Sequence, residues 1–439
     1  MTADLTESRV LQIWQDCPGR NDLETEEDGP VKVLYPGRVN DGSGADFRDA
    51  VIQTNHGLLT GDIEIHTRSS HWRAHRHHRD PLYNRVVLHV VFRHDTAKPI
   101  RLENGRSVPT LSLEKLMMTK SNPCVSPVPQ IPCQGTGERR DISLISGVLD
   151  KAGEQRFQSR ASGYQTAASP AEAGQALYRG IMGALGYSKN KHPMMALACR
   201  MPLRRLESTA TRQMPDTECL AIWQAMLMGT AGLLPSQRAV RPKDGENDRR
   251  IDGPERLWSA AGETVAMSVR DWHFFRVRPG NFPARRIAAM CRLLLRYREK
   301  GLLNGLIDEF HNLPADGGYR GLEEALIIEA GDSCPAVNES ESARLGRDRA
   351  ADIVINVLLP FAAAWGRLNA RPELAEKAAN LYRRYPALAT NTLERHMSRQ
   401  LGINGCLVNT ARRQQGLLHI FKTWCSVGGC QSCPVNQAS

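Results

Sequence analysis

The spacing of hydrophobic residues changes once along the chain, and the change predicts two kinds of structure. Across residues 31–113, short alternating or continuous apolar runs are separated by Gly, Asn, Asp and Pro, which is typical of strands joined by turns. An amphipathic segment at residues 5–15 precedes these runs and predicts a short helix. We therefore expect an N-terminal mixed sheet of at least four strands.

The later part of the chain has its apolar residues at helical spacing instead. Residues 218–234, 284–310 and 372–385 each carry an i, i+3, i+4 apolar stripe with a basic outer face. Between the two regions, residues 122–141 are rich in Pro and Gly and have no regular period. This middle stretch is typical of a linker or an extended surface loop.

The length of the chain supports a division into domains. A chain of 439 residues exceeds the size at which one hydrophobic core stops growing, so two or three domains are expected. We predict an α+β protein with three parts: an N-terminal mixed β-sheet domain at residues 1–121, a linker or extended loop at 122–175, and a largely α-helical domain at 176–439.

The composition, with 41% hydrophobic and 24% charged residues, is that of a globular protein and excludes a disordered or fibrous chain. The longest apolar run, residues 353–365, is short and interrupted by Asn356 and Pro360, so neither a membrane span nor a signal peptide is expected. Eleven cysteines without a secretory signal favour reduced thiols or metal ligands over disulfides. These features predict a cytoplasmic protein without a membrane partner.

The net charge favours an anionic partner. The chain has 57 Lys and Arg residues against 47 Asp and Glu residues, a net charge of +10, and a pI near 9.2. Arginine is much more frequent than lysine, and the planar guanidinium group suits two-point contacts with phosphate. We therefore expect nucleic acid as the partner class.

Histidines concentrate in the part of the chain that predicts the sheet. Eight of the thirteen lie within residues 56–94. In the strand predicted at residues 61–67, the two-residue period sends Asp62, Glu64 and His66 to one face and apolar residues to the other. Such a polar row is costly in a core unless it binds a metal or is fully paired. The alternative for Glu64 and His66 is an exposed polar strand face.

The order of Asp46 and the later Glu64-x-His66 resembles the signature of the PD-(D/E)xK nucleases, in which an acid is followed by an acid-x-lysine pair on the next strand. The resemblance implies a restriction-endonuclease-like sheet in which Asp46 and Glu64 hold Mg²⁺ or Mn²⁺, and in which the metal activates water for attack on a phosphodiester. His66 stands where that signature has lysine, and it could orient water or be a metal ligand.

Further polar residues in the same region are candidate ligands: Asp62, His75, His77, Asp80 and His89. His89 lies inside an apolar run, where a hydrogen-bonded core histidine is the alternative. A rival function is therefore a histidine-ligated hydrolase of small molecules, with Zn²⁺ or Mn²⁺ bound by His66, His77, Asp80 and His89. A protein that binds nucleic acid without catalysis is a third possibility.

Two arginines open a predicted helix after the Pro-rich sequence at residues 278–288. A rigid turn is the simpler explanation of this sequence. The functional alternative is a phosphate contact at the helix N-terminus made by Arg278, Arg285 and Arg286.

The C-terminal cysteines have the spacing of metal ligands. Cys425, Cys430 and Cys433 form a C-x4-C-x2-C run that lets three thiolates converge, and Cys406 or His419 is the expected fourth ligand. Both an iron–sulfur cluster and Zn²⁺ suit such ligands. A role in folding is expected, because four soft ligands leave no open position for water.

Motifs along nearly the whole chain resemble a bacterial family known as a domain of unknown function (family 2851). The resemblance lies in residues 42–52 and 61–66, in the array of Trp72, His75, Asp80 and Tyr83 that leads into residues 88–91, and in residues 278–288, 345–361 and 414–433. It implies no established activity. From the residues themselves, the expected function is metal-dependent phosphodiester hydrolysis of nucleic acid.

Overall fold

The computed structural model of the chain describes residues 6–18, 20, 22–40, 44–114, 133, 142–165, 169–210, 213–238, 249–262, 267–274, 277–314, 318–329, 345–403 and 405–437. It is a mixed α+β structure with an N-terminal sheet followed by helices. The chain divides into two compact units. The barrel unit comprises Met1–Gly153, Thr390–Asn409 and Arg413–Ser439, and the helical unit comprises Glu154–Ala389 and Thr410–Arg412.

The predicted mixed sheet is present, and most of it closes on itself. Its strands are β1 Glu24–Thr25, β2 Gly29–Tyr35, β3 Arg38–Val39, β4 Phe47–Thr54, β5 Gly57–Arg68, β6 Val86–Arg93 and β9 Thr110–Ser112, and a separate pair is formed by β7 Ile100–Arg101 and β8 Ser107–Val108. The order across the sheet is β2-β1-β9-β6-β5-β4-β3. Because β2 pairs with β4 as well as with β1, six strands close into a barrel-like ring. The sequence predicts the mixed sheet but not this closure.

The sheet is mixed because β5 and β6 pair in parallel, as do β6 and β9, whereas the other pairs are antiparallel. One face of the sheet forms an apolar core with helix α1, Glu7–Gln15. Ile63 and Ile65 of β5 lie in this core beside Val10 and Trp14 of the helix. The two-residue period predicted for β5 is therefore confirmed, since its intervening residues lie on the other face.

Helices make up most of the remaining described chain. After α1 they are α2 His71–Ala74, α3 Ile142–Tyr164, α4 Pro170–Leu185, α5 Lys191–Arg200, α6 Leu203–Thr209, α7 Asp216–Thr230, α8 Arg249–Ala260, α9 Pro283–Arg296, α10 Leu302–Asn312, α11 Tyr319–Leu326, α12 Arg347–Ile353, α13 Leu359–Leu368, α14 Pro372–Arg384, α15 Thr392–Gln400, α16 Ala411–Thr423 and α17 Pro434–Gln437. A π-helical turn, Val354–Leu358, joins α12 to α13.

Two boundaries differ from those that the sequence predicts. Residues 284–310, predicted as one helical segment, form α9 and α10, because the chain turns at Gly301, which has a φ of 77°. Helix α3 lies inside the stretch predicted as a linker. Several of its apolar side chains, among them Leu149 and Phe157, are buried, but Leu144 is exposed, and the helix has no strong apolar stripe from which the sequence could predict it.

The C-terminal segment belongs to the barrel unit rather than to the helical one. Met397 of α15 and Leu417 of α16 pack in one apolar cluster with Tyr35 of β2 and Val51 of β4. The helical prediction for this segment holds, but its tertiary partners are strands near the start of the chain.

Two helical stretches, Asp216–Gln237 and Arg347–Leu368, have the length and apolar composition of a membrane span. In both, 72% of the apolar window is buried inside the structure. Core helices of globular proteins have the same properties, so this is weak evidence for a span.

Candidate functional site

The β4–β5 hairpin brings the two predicted acids together. Asp46 immediately precedes β4, and Glu64 lies in β5, opposite the start of β4. The Asp46 carboxylate accepts a hydrogen bond from the Ile65 backbone N–H at 3.0 Å, and the Glu64 carboxylate accepts one from the Asp46 N–H at 3.1 Å. This reciprocal pair of bonds holds both carboxyl groups at one end of the hairpin.

Three histidines converge beside Glu64. Each of His66, His75 and His77 offers one ring nitrogen as a ligand, and these three nitrogens all lie within 4.8 Å of one another. His66 Nε2 is 3.0 Å from His75 Nδ1. The Glu64 carboxylate oxygen Oε1 lies 3.2 Å from His77 Nε2 and 3.5 Å from His66 Nε2. We call these four residues the histidine–glutamate site.

The segment that carries His75 and His77 is anchored at both of its sides. Trp72 of α2 is fully buried, and its indole N–H donates to the Arg101 carbonyl at 3.1 Å. Ser69 and Ser70 donate their hydroxyl hydrogen bonds to Asp95, at 3.0 and 2.8 Å. Arg76 has a φ of 63°, a left-handed conformation that reverses the chain between the two histidines. The histidines are therefore held by a defined turn.

His89 supports His66 from the next strand. Its Nε2 lies 2.8 Å from His66 Nδ1, and the His89 side chain is fully buried beside Trp72. Because this contact occupies Nδ1 of His66, the other nitrogen, Nε2, faces His75 and Glu64. A hydrogen bond of this kind fixes the ring orientation and tautomer of a metal-binding histidine.

Burial changes the acid–base properties of these groups. Burial, together with the nearby Glu64 carboxylate, raises the pKa of Asp46 to about 7. Burial raises the pKa of Glu64 to about 8. Burial lowers the pKa of His89 to about 3 and also lowers the pKa of His66, on which the neighbouring histidines act in the same direction. His66 and His89 are thus neutral at pH 7, which is the form of histidine that binds metals.

The donor set fits a divalent transition metal. Imidazole nitrogens with one carboxylate are typical ligands of Zn²⁺, Mn²⁺ and Fe²⁺. His77 Nε2 is buried and has no hydrogen-bond partner among the described residues, although it is close to Glu64. A cation between them would satisfy this nitrogen and offset the cost of ionising Glu64.

Glu64 and His66 are 5% and 1% exposed, so an exposed polar strand face is excluded for them. Asp62, on the same face of β5, forms an ion pair with Arg48 and accepts the Asp49 N–H at 3.2 Å. Asp80 accepts the Leu82 N–H at 2.9 Å and so caps the turn Pro81–Tyr83. Both acids therefore have structural partners outside the histidine–glutamate site.

The predicted phosphate-binding arginines lie in the helical unit. Arg286 is buried, and its guanidinium group donates to the Tyr187 hydroxyl at 2.9 Å and to the Asn281 side chain. Arg278 is exposed and Arg285 is half-buried. The structural explanation, a packed turn before α9, accounts for Arg286.

The C-terminal cysteines are placed differently from one another. Cys433 is buried, Cys425 and Cys430 are half-buried, and Cys406 is exposed. His419 lies against the Trp424 ring, with centroids 5.8 Å apart. A further cysteine from outside this run, Cys133, packs in the same apolar cluster as Cys433. Sequence reasoning missed Cys133, because it lies in the Pro-rich stretch without a metal-binding spacing.

Together, these features define a mixed α+β protein in which a mostly buried group of histidines and carboxyl groups lies on the sheet and on the segment between β5 and β6. Residues 7–391 match the family described as a protein of unknown function (DUF2851), and the chain belongs to this family. The match confirms the resemblance seen in the motifs and includes the whole histidine–glutamate site. No curated protein and no solved structure matches the chain.

Proposed function

We propose that this protein is a metal-dependent hydrolase of phosphodiester bonds in nucleic acid, with its metal bound at the histidine–glutamate site. The observation that carries the proposal is the convergence of three imidazoles within 4.8 Å, with the Glu64 carboxylate 3.2 Å from His77. Within such a group, a bound divalent metal acts as a Lewis acid on a phosphoryl oxygen.

The ligand chemistry favours a transition metal over magnesium. Mg²⁺ prefers oxygen ligands and keeps several waters, whereas imidazole suits Zn²⁺ and the other transition metals. Of the two ions that the acid motif implies, Mn²⁺ suits the histidines better. We therefore propose Mn²⁺ or Zn²⁺, with His66 as a ligand rather than a residue that orients water.

Asp46 is the best candidate for the general base. It is only partly buried, and its pKa of about 7 lies near the operating pH, where a base is most efficient. Asp46 adjoins the site, because its backbone N–H donates to the Glu64 carboxylate, which itself lies 3.2 Å from His77 Nε2. In this scheme Glu64 binds the metal and Asp46 accepts the proton from the attacking water.

The charge around the site favours an anionic substrate. Three exposed arginines lie on the same short segment as His75 and His77: Arg73, Arg76 and Arg79. The chain as a whole carries a net charge of +10. Positive charge at the rim of a site attracts phosphodiesters and raises the rate of encounter.

The test compares metal binding and cleavage in single-residue variants. Metal-stripped full-length protein is reloaded with Mn²⁺, Zn²⁺ or Mg²⁺ and assayed on single- and double-stranded DNA and RNA. Glu64→Gln, His77→Gln and His66→Lys should lose metal binding and cleavage, because each removes a ligand. Asp46→Asn should keep the metal and lose cleavage by about 100-fold or more, as expected for a general base.

His78→Gln is the matched control, since His78 is the neighbour of His77 and lies outside the converging group. It should leave metal binding and cleavage unchanged. Unaltered cleavage by Glu64→Gln, or metal binding that survives His66→Lys, would contradict the proposal.

The same ligand set also suits hydrolysis of a small phosphodiester. This would be the reaction of the rival function, a hydrolase of small molecules. A small aryl phosphodiester is therefore included in the assay. Metal-dependent turnover of this compound without turnover of DNA or RNA would favour the rival. Binding of nucleic acid without turnover of any substrate would favour a non-catalytic binding protein.

A further inference from the structure

The C-terminal cysteine run forms two tight turns. The 3₁₀ turns Cys425–Val427 and Cys430–Ser432 are separated by Gly428 and Gly429. Gly428 has a φ of 71°, which an L-residue with a side chain rarely adopts. Within the turns, the Gly428 N–H donates to the Cys425 carbonyl at 3.3 Å and the Cys433 N–H to the Cys430 carbonyl at 3.2 Å. This backbone keeps three thiols close together.

Cys133 approaches these thiols from a distant part of the chain. It is 7% exposed, and it packs with Cys433 in an apolar cluster against which Cys425 also lies. The side-chain amide of Gln400 donates a hydrogen bond to the Cys133 sulfur at 3.0 Å. Burial, and the proximity of the Cys133 and Cys433 thiols, raise the pKa of both Cys425 and Cys430.

We propose that four cysteines of the barrel unit bind an iron–sulfur cluster: Cys133, Cys425, Cys430 and Cys433. Thiolates are soft ligands that select iron–sulfur clusters and zinc. No disulfide joins any two of the nine cysteines that the structure describes. The fourth ligand is thus Cys133 and not the exposed Cys406.

The spacing of the sulfurs favours a cluster over one zinc ion. Thiolates at about 2.3 Å from a tetrahedral zinc ion lie about 3.8 Å from one another. Among the described residues, only His66, His75 and His77 form a group of three with ligand atoms within 4.8 Å of one another. No three of the four sulfurs therefore lie within 4.8 Å of one another, which is wider than a tetrahedral zinc site, whereas a cluster whose cysteines bind more than one iron atom accommodates such a separation.

The proposed cluster would join three parts of the barrel unit. The Thr60 hydroxyl of β5 donates to the Ser426 carbonyl at 3.3 Å, so the cysteine turns lie against the start of that strand. The Lys32 ammonium of β2 lies near Cys430, where it favours the thiolate form. Cys133, which packs with Cys433, would be the third part.

The test measures metal content in full-length protein purified without oxygen. Wild-type protein should contain iron and acid-labile sulfide in equal amounts, with an absorbance at about 400 nm that dithionite bleaches. Cys133→Ser and Cys433→Ser should lose most of the iron, and Cys406→Ser should keep it. Because the first two variants can misfold, wild-type protein is also stripped with a chelator and reconstituted with iron and sulfide, which should restore the absorbance.

Three results would overturn the proposal: about one zinc and no iron per chain, protein folded without any metal, or equal loss of iron in Cys406→Ser and Cys133→Ser. The Glu64→Gln variant should retain the cluster. Failure of the iron–sulfur proposal and failure of the proposed hydrolase function are therefore separate outcomes.

Discussion

At the scale of single residues, two acids on the same face of β5 differ in whether a cationic partner compensates their charge. Asp62 is fully buried and meets the Arg48 guanidinium group, which compensates its charge. Glu64 meets His77 and the Asp46 N–H instead, and burial raises its pKa to about 8. Glu64 is thus the acid that gains most from a bound cation.

The raised pKa values predict how the stability of metal-free protein depends on pH. Folding raises the pKa of Asp46 from 3.8 to about 7 and that of Glu64 from 4.5 to about 8. The folded state therefore holds protons that the unfolded state has released, and the stability they contribute is lost as pH rises through 7 and 8. The buried histidines act in the opposite direction, but only near and below their unfolded pKa of 6.5.

We therefore expect the melting temperature of metal-free protein to fall by at least about 2 °C between pH 6.5 and 8.5. A loss of about 1 kcal/mol in the free energy of unfolding lowers the melting temperature by about that amount or more. In Glu64→Gln the fall should be smaller, because glutamine does not ionise. Added Mn²⁺ should abolish the fall in wild-type protein. Differential scanning fluorimetry across this pH range measures all three. An equal pH dependence in wild type and Glu64→Gln would contradict the assignment.

At the scale of elements, β5 organises the site because its two edges pair in different directions with their neighbouring strands. It is antiparallel to β4 and parallel to β6, and its pairing with β6 shifts register between Asp62 and Ile63. At the irregularity, the Asp62 N–H donates to the Arg85 carbonyl at 2.9 Å. Gly61 permits this approach, because a Cβ there would lie 2.5 Å from the Arg85 oxygen.

Gly61→Ala should therefore destabilise the barrel unit. The added methyl would also lie 2.3 Å from a Val87 methyl, and such overpacking costs about 1–3 kcal/mol. Gly147→Ala in helix α3 is the control, because no heavy atom lies within 4 Å of its added methyl. It should be neutral or stabilising by up to about 1 kcal/mol. Urea unfolding compares the two, and equal midpoints would contradict the role of Gly61.

At the scale of the whole molecule, the barrel unit is assembled from both ends of the chain. The family match ends at residue 391, yet later residues supply much of an apolar cluster that includes Tyr35 and Val51. These later residues are Met397, Leu401, Leu417, Ile420, Phe421, Cys433 and Val435. The C-terminal segment is thus part of the folded core of this unit.

A chain that ends at residue 391 should therefore have an unstable barrel unit. Phe421→Ala removes one side chain of the same apolar cluster. Loss of this nearly buried ring should lower the free energy of unfolding by about 3–5 kcal/mol. Val427→Ala is the control, because Val427 is 63% exposed. Solubility and thermal unfolding measure these effects. A truncated chain as stable as the full one would show that the cluster is dispensable.

Much of the local structure could be predicted from periodicity. The alternation in residues 61–67 placed Glu64 and His66 on the face opposite Ile63 and Ile65, as the structure has them. Clustered histidines likewise pointed to the region where the structure brings His66, His75 and His77 together. Both signals are local, because side-chain direction in a strand follows from its two-residue period alone.

Other features depend on residues far apart in sequence and could not be predicted. Whether Glu64 is exposed or buried depends in part on the turn that brings His77 to 3.2 Å from its carboxylate. Closure of the sheet requires β2 to pair with both β1 and β4. Cys133, rather than Cys406, joins the C-terminal thiols.

The sequence by itself therefore determined most of the strands, the helices with an apolar stripe, the family and the residue types available for metal binding, because these follow from local spacing, motifs and composition. The tertiary structure alone decided which of those residues meet: His75 with His66, His77 with Glu64, and Cys133 with Cys433. The physical reason is that a ligand set is defined by distances of a few ångströms between segments, and a one-dimensional pattern contains no such distances.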